Sequence, residues 1–290
     1  VDAPLVLTYH TKYDVDIAKA VRGKLLQESA IRALVQNIAS CDEVWVVSRG
    51  AGENLRSLGY EGDYIVMENG VDVPRGRVSD EAIAAATGRY DLPQNVPVFL
   101  FVGRLMWYKG IRIILDALKT LCEKNVDFRM VFVGEGADGA EIRSYAEERK
   151  LSDRCFFTGA ISDREIIRAW YGRSDLFLFP STFDTNGLVV REAAASGTAT
   201  VMIRNSCASE GVGDGRNGFC IEENAAAMAA KLEELCRAPE VMQVVGENAQ
   251  RELYVSWETA VQRAMARYEV VIDNYRSGKY PRRERFGAEF

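Results

Sequence analysis

The stretch 176–197 constrains this chain more than any other. Leu176-Phe-Leu-Phe179 is an apolar run of strand length, and a polar loop, Pro180-Ser-Thr-Phe-Asp-Thr-Asn-Gly187, follows it. Leu188 to Ser196 then reads as a helix stopped by Gly197. Asn186-Gly187 supplies a tight turn with room for positive φ. A buried strand that passes through glycine into a helix is a unit of an α/β fold, and it turns free backbone amides toward whatever sits above the sheet edge. Together with the positive end of the helix dipole, those amides favour an anion such as phosphate. Asp184 stands before the turn and Glu192 eight positions later, one carboxylate on each side of the same crevice.

Two acids beside an anion site repel phosphate unless they bind hydroxyls, and sugar hydroxyls are the obvious partners. A nucleotide sugar offers both, with a diphosphate in the middle, ribose on one side and a hexose on the other. The same strand, glycine, helix logic recurs upstream. Val98 to Val102 is a buried strand followed by Gly103-Arg-Leu-Met-Trp-Tyr-Lys109-Gly110, where Arg104 and Lys109 can neutralise a diphosphate. The plainer reading of those two is a pair of solvated surface cations. Phe128 to Val133 leads into Gly134-Glu-Gly136, a weak signal that serves equally as a turn for close helix packing. Arg154 to Phe157 with Thr158-Gly159-Ala160 makes the next strand and loop, and Ser162 is the expected cap of a helix ending near Tyr171. After the central stretch come a strand at Thr198–Ile203, a loop from Asn205 to Gly215 containing Glu210, a short strand at Phe219–Ile221, and helices broken at Pro239 and Ser256.

The first part of the chain reads as starting in mid-fold. Pro4 to Tyr9 reads as a strand, His10 to Asp14 as a loop, Val15 to Ala39 as one long amphipathic helix, and Glu43 to Val47 as a strand. A helix with Ser48 as N-cap and Gly59 past its end follows, then a strand at Tyr64–Met67. The expected organisation is a partial Rossmann-like domain at 1–73, a linker at 74–96 with a helical interlude capped by Ser79, and a complete Rossmann-like domain at 97–256. A closing helix at 257–275 and a basic tail at 276–290, expected to be disordered, complete it. His10 is the single histidine and lies where a strand ends, the edge at which open α/β sheets bind ligands.

Composition excludes some classes. A net charge of −6 argues against a general nucleic-acid binder, which needs a basic excess. The six cysteines include no C-x-x-C pair, so neither a zinc site nor a disulfide framework is suggested, and a reducing cytoplasm is the expected home. No apolar run approaches the ~20 residues of a membrane span, and the first residues lack the pattern of a signal peptide. Lys19, Arg22, Lys24 and Arg32 decorate the pattern between Val15 and Ala39, which reads either as a solvated helix face or as a basic surface for the inner face of an anionic membrane.

Asp184-Thr-Asn186-Gly187-Leu-Val-Val-Arg-Glu192 resembles the signature of the retaining GT-B glycosyltransferases of the group 1, family 4 type, nucleotide-sugar enzymes that include sucrose, glycogen and lipid-sugar synthases. Their pattern is Glu-x-Phe-Gly, then four residues, then a second Glu; here Asp184 replaces the first Glu and Asn186 the Phe. The Gly103-Arg-Leu-(x)3-Lys109-Gly110 arrangement is similar to their diphosphate-gripping motif, and Thr8-Tyr-His10-Thr to an N-domain loop whose histidine contacts the donor sugar. The resemblance covers about Pro4 to Tyr275 and implies two doubly wound domains, with about a hundred residues of the first one lying before Val1 in a complete enzyme.

It further implies transfer of a hexose from a UDP- or GDP-sugar to a hydroxyl of a glycan, lipid or small molecule, with retention and without a metal or cofactor. Arg104, Lys109 and the amides of Asn186, Gly187 and Leu188 would steady the departing diphosphate. Glu192 would hold ribose and Asp184 the hexose, while His10 would contact the sugar near the reacting carbon. Backbone at Gly103, Gly134, Gly159 and Ala160 would complete the nucleotide pocket. A non-catalytic nucleotide-sugar-binding partner and an epimerase are the alternatives, separable by turnover with and without an acceptor.

Overall fold

The structure is a computed structural model that describes residues 3–280, without the side chains of Val15 and Lys19. It divides into two compact units, one formed by the chain up to Asn69 together with the segment from Trp257 onward, the other by Gly70–Ser256.

The first unit is built on a parallel sheet of β1 (Val6–Tyr9), β2 (Glu43–Val46) and β3 (Ile65–Val66), in that order, with Val6 opposite Glu43 and Trp45 opposite Ile65. Its helices are α1 (Tyr13–Ala20), α2 (Lys24–Ala39) and α3 (Arg49–Ser57). Val35 and Ile38 of α2 meet Tyr9, Val44, Val46 and Leu55 in a small core. The expected single helix over Val15–Ala39 is two helices. Gly23 between them has φ +99°, a conformation that side chains disfavour. The carbonyl of Val21, left over at the break, accepts from Gln27 Nε2 at 2.8 Å. Ser48 caps α3 through a 3.0 Å bond from the Ala51 amide.

The second unit holds α4 (Asp80–Thr87), β4 (Val98–Val102), α5 (Ile111–Glu123), β5 (Arg129–Val133), α6 (Gly139–Glu148), β6 (Cys155–Gly159) and α7 (Arg164–Arg173). It continues with β7 (Leu176–Phe179), α8 (Leu188–Ala195), β8 (Ala199–Ile203), β9 (Phe219–Ile221), α9 (Ala225–Arg237) and α10 (Pro239–Glu252). All six strands run parallel in the order β6-β5-β4-β7-β8-β9. Every residue of β4, β7 and β8 is buried, as continuous apolar runs must be when helices cover both faces of a parallel sheet. Within residues 74–96, α4 is the helical interlude read from the sequence: Ser79 caps it, accepting from the Ala82 amide at 3.2 Å, and the helix packs on α7 with Ile83 and Thr87 buried. One difference from the sequence reading follows local chemistry. Asp163, not Ser162, caps α7, its carboxylate accepting from the Glu165 amide at 2.9 Å.

The last helix, α11 (Trp257–Arg276), packs within the first unit. Arg267 grips both carboxylate oxygens of Glu43 at 2.8 and 2.5 Å, and Tyr268 lies 4.8 Å from the Trp45 ring. Tyr280 also donates to Glu43, at 3.1 Å, so ordered chain extends into the segment expected to be disordered. The rest of that expectation, 281–290, lies outside the described residues.

Candidate functional site

In the second unit the chain winds outward from β4 through β5 to β6, then returns to place β7 on the other side of β4. The carboxyl ends of β4 and β7 therefore flank a topological switch point, where loops diverge and leave a crevice. The two loops with the strongest sequence signals are the ones that leave these two strands. Gly110 fits them together. It has φ +78°, and a Cβ there would fall 2.3 Å from the Pro180 carbonyl oxygen, so any side chain would push the loops apart.

At that seam Lys109 meets Asp184. The ammonium lies 2.6 and 2.8 Å from the two carboxylate oxygens, and Ser181, itself buried, donates to the second at 2.5 Å. Lys109 is only 8% exposed, unusual for a lysine, and its ammonium also sits over the rings of Tyr108 and Phe179 at 5.6 and 5.9 Å. A buried cation needs a counter-charge, and Asp184 supplies it. Arg104 from the same loop is exposed, with its guanidinium 5.9 Å from the Tyr108 ring. Among the described residues it pairs with no carboxylate.

Helix α8 begins at Gly187, whose left-handed backbone (φ +63°) forms the N-cap without a side-chain cap bond. The Val190 amide turns back to the Gly187 carbonyl at 2.8 Å, and among the described residues no side chain caps the Leu188 and Val189 amides ahead of it. Asn186 is buried and its side-chain oxygen accepts from Arg191 Nε at 3.4 Å, while Leu188 stays exposed. Arg191 also donates to the Leu253 carbonyl at 2.9 Å, which ties α8 to the end of α10. One turn further, Glu192 accepts from the hydroxyl of Tyr171 at 3.3 Å. Burial pushes the Glu192 carboxyl above its ordinary value, against the opposing pull of that hydroxyl and of Arg164.

The remaining loops pack backbone on backbone. The Gly134 amide donates to the Gly159 carbonyl at 2.9 Å, and the Gly103 amide to Val133 at 3.0 Å. A Cβ on Gly134 would lie 2.0 Å from the Gly103 oxygen, so Gly134 has a packing role. Ala160 is exposed just beyond β6. His10 is exposed at the carboxyl end of β1 and belongs to the first unit. The second unit thus joins the residues of two distant sequence signals, 104–109 and 184–192, along one sheet edge. Sequence reasoning did not find Ser181, Tyr171 or Arg191. Ser181 was adjacent to the signal, whereas Tyr171 reaches Glu192 from a different helix and leaves no local trace.

The profile of the family described as glycosyl transferases group 1 matches residues 85–252. The D-inositol 3-phosphate glycosyltransferase of Streptomyces avermitilis is 28% identical over 287 residues, covering 94% of this chain and 61% of the relative. The alpha-monoglucosyldiacylglycerol synthase of Streptococcus pneumoniae is 23% identical, covering 82% and 55%. The chain therefore spans somewhat over half the length of these curated relatives. Among solved structures, Anabaena Alr3699/HepE in complex with UDP superposes with a TM-score of 0.79 at 21% identity, covering 92% of this chain and 72% of that one. The fold is that of the GT-B glycosyltransferases, with two Rossmann-like sheets. With more than half of its residues matched, the chain belongs to the glycosyl transferases group 1 family.

Proposed function

We propose that this chain carries the donor site of a retaining hexosyltransferase that uses a UDP- or GDP-sugar and needs no metal. The observation that carries the reading is the buried Lys109–Asp184 pair at the switch point, beside the Gly187 end of α8 and the exposed Arg104. The departing nucleoside diphosphate gains negative charge as the glycosidic bond breaks. Lys109, Arg104 and the amides before α8 are fixed positive groups that lower the energy of that charge before it develops. Glu192 receives ribose hydroxyls, and Asp184 the hexose hydroxyls at the opposite end of the donor. His10 has the role of touching the sugar, on resemblance alone.

The solved neighbour that holds UDP, and relatives named as a D-inositol 3-phosphate glycosyltransferase and as the synthase of a glucosylated diacylglycerol, support a nucleotide-sugar donor and a hydroxyl acceptor. The glycolipid synthase also favours a lipid acceptor.

Because Asp184 neutralises Lys109, an incoming diphosphate competes with it. Asp184→Asn is therefore expected to bind plain UDP or GDP more tightly, by about 3- to 10-fold on a change of about 1 kcal/mol, while losing sugar transfer. Calorimetric titration together with turnover in the presence of a chelator checks this. A variant whose nucleotide affinity falls as far as that of Glu192→Gln would overturn the two-ended assignment. Binding without transfer or hydrolysis, for any acceptor class, would leave a nucleotide-sugar-binding module.

A further inference from the structure

Tyr171 lies in the last turn of α7 and is 1% exposed. Its ring meets Phe177 of β7 edge-on at 5.5 Å, and its carbonyl accepts from Thr198 Oγ1 at 2.7 Å, so strand β7 and the entry to β8 fix its position. The hydroxyl alone crosses to α8. There it stands 3.3 Å from the Val189 carbonyl and 3.3 Å from Glu192 Oε2. Burial, reinforced by the Glu192 charge, holds the phenol well above its ordinary pKa, so at working pH it keeps its proton and acts as a donor.

A tyrosine buried solely for packing gains nothing from its hydroxyl, since phenylalanine fills the same ring volume. Here the hydroxyl meets a carboxylate whose own burial makes ionisation unfavourable, and it offsets part of that penalty. It also restricts the carboxylate to one orientation. No feature of α8 itself would do so, because among the described residues no side chain on that helix donates to Glu192.

We propose that Tyr171 is a positioning residue for nucleotide recognition: its hydroxyl holds Glu192 Oε2, so that Oε1 is presented to the ribose hydroxyls of a nucleoside diphosphate. This rests on the ribose role given to Glu192 above. Pairing with the buried phenol removes one acceptor oxygen from competition with water and leaves the other for the ligand. Ribose discrimination thus depends on a group that never touches the nucleotide.

The test is Tyr171→Phe in the full chain, with UDP and its 2′,3′-dideoxy counterpart as probes in calorimetric titration. The variant is expected to lose about 3- to 10-fold in affinity for UDP and nothing for the dideoxy nucleotide. In a Glu192→Gln background the same substitution is expected to change neither affinity, a readout that a merely structural role would not produce. Thermal melts of each variant establish that it is folded. A wild-type chain that binds both nucleotides equally would overturn the ribose role of Glu192 and this inference with it. A wild-type chain that discriminates, with Tyr171→Phe discriminating as strongly, would overturn the role of Tyr171 alone.

Discussion

At the scale of single residues, the site joins groups that folding alone does not favour. Lys109 and Asp184 are each half of a pair largely removed from water, and such a pair contributes little net stability because desolvation offsets attraction. Glu192 is a clearer case, since its only described hydrogen-bond donor is Tyr171 and its charge is held off water. Its carboxyl titrates above the ordinary value because of burial. The folded chain therefore holds that proton more tightly than the unfolded chain does. The stability from this group is fully present below the unfolded value and is lost as pH rises through the folded value. Glu192→Gln is then expected to melt at higher temperature than wild type at pH 7, with the advantage vanishing below about pH 4, near the value of a free glutamate. The same variant is expected to lose about tenfold or more in UDP affinity. Melting curves at the two pH values check the sign, and a variant less stable at pH 7 would show that ionised Glu192 supports the fold.

At the scale of elements, what was legible in the sequence was what short-range chemistry dictates. Leu176–Phe179 and Val98–Val102 are strands with the boundaries read from their apolar runs, because a strand buried on both faces has no other composition. The glycine that closes each following loop was legible for the same reason. The break at Val21–Gly23 was not, since the apolar periodicity continues across it and only the backbone shows the turn. The pairing of Lys109 with Asp184, 75 residues apart, depends on β7 lying beside β4, a matter of strand order that no local pattern states.

The break in the first helix also has a consequence for surfaces. It puts Leu25 and Leu26 at the start of α2, 78% and 63% exposed, next to the exposed Arg22 and Lys24. Adjacent apolar and basic groups match the two attractions of an anionic bilayer, with leucines entering the acyl boundary and cations meeting the headgroups. Co-sedimentation with phosphatidylserine-rich vesicles is expected at low salt, to weaken as the Debye length falls from ~10 Å at 0.1 M toward ~3 Å at 1 M, and to be lost in Leu25→Ser/Leu26→Ser. Binding that the double variant retains would remove those leucines from the membrane contact.

At the scale of the whole molecule, the two units differ in how much they bury. The second has a continuous core running from Val98 of β4 to Val245 of α10, whereas the core of the first is a small cluster around Tyr9, Ile38, Val46 and Leu55. The second unit is also closed at its ends, where the Val71 amide donates to the Val255 carbonyl at 2.9 Å and Tyr254 donates to Val73 at 3.0 Å. Burial scales with stability, so the second unit should be the last to unfold. Calorimetric melting of the chain is therefore expected to show two transitions, the upper one belonging to residues 70–256. All the residues proposed for the donor site except His10 lie in that unit, so UDP should act on its transition. At a concentration about 100 times its dissociation constant, UDP adds about 2.7 kcal/mol to the unit that binds it and nothing directly to the other. The upper transition should rise and the lower stay in place. A nucleotide that moved the lower transition equally would mean that the first unit shares in donor binding, and His10, at the end of β1, would be the first residue to replace with alanine.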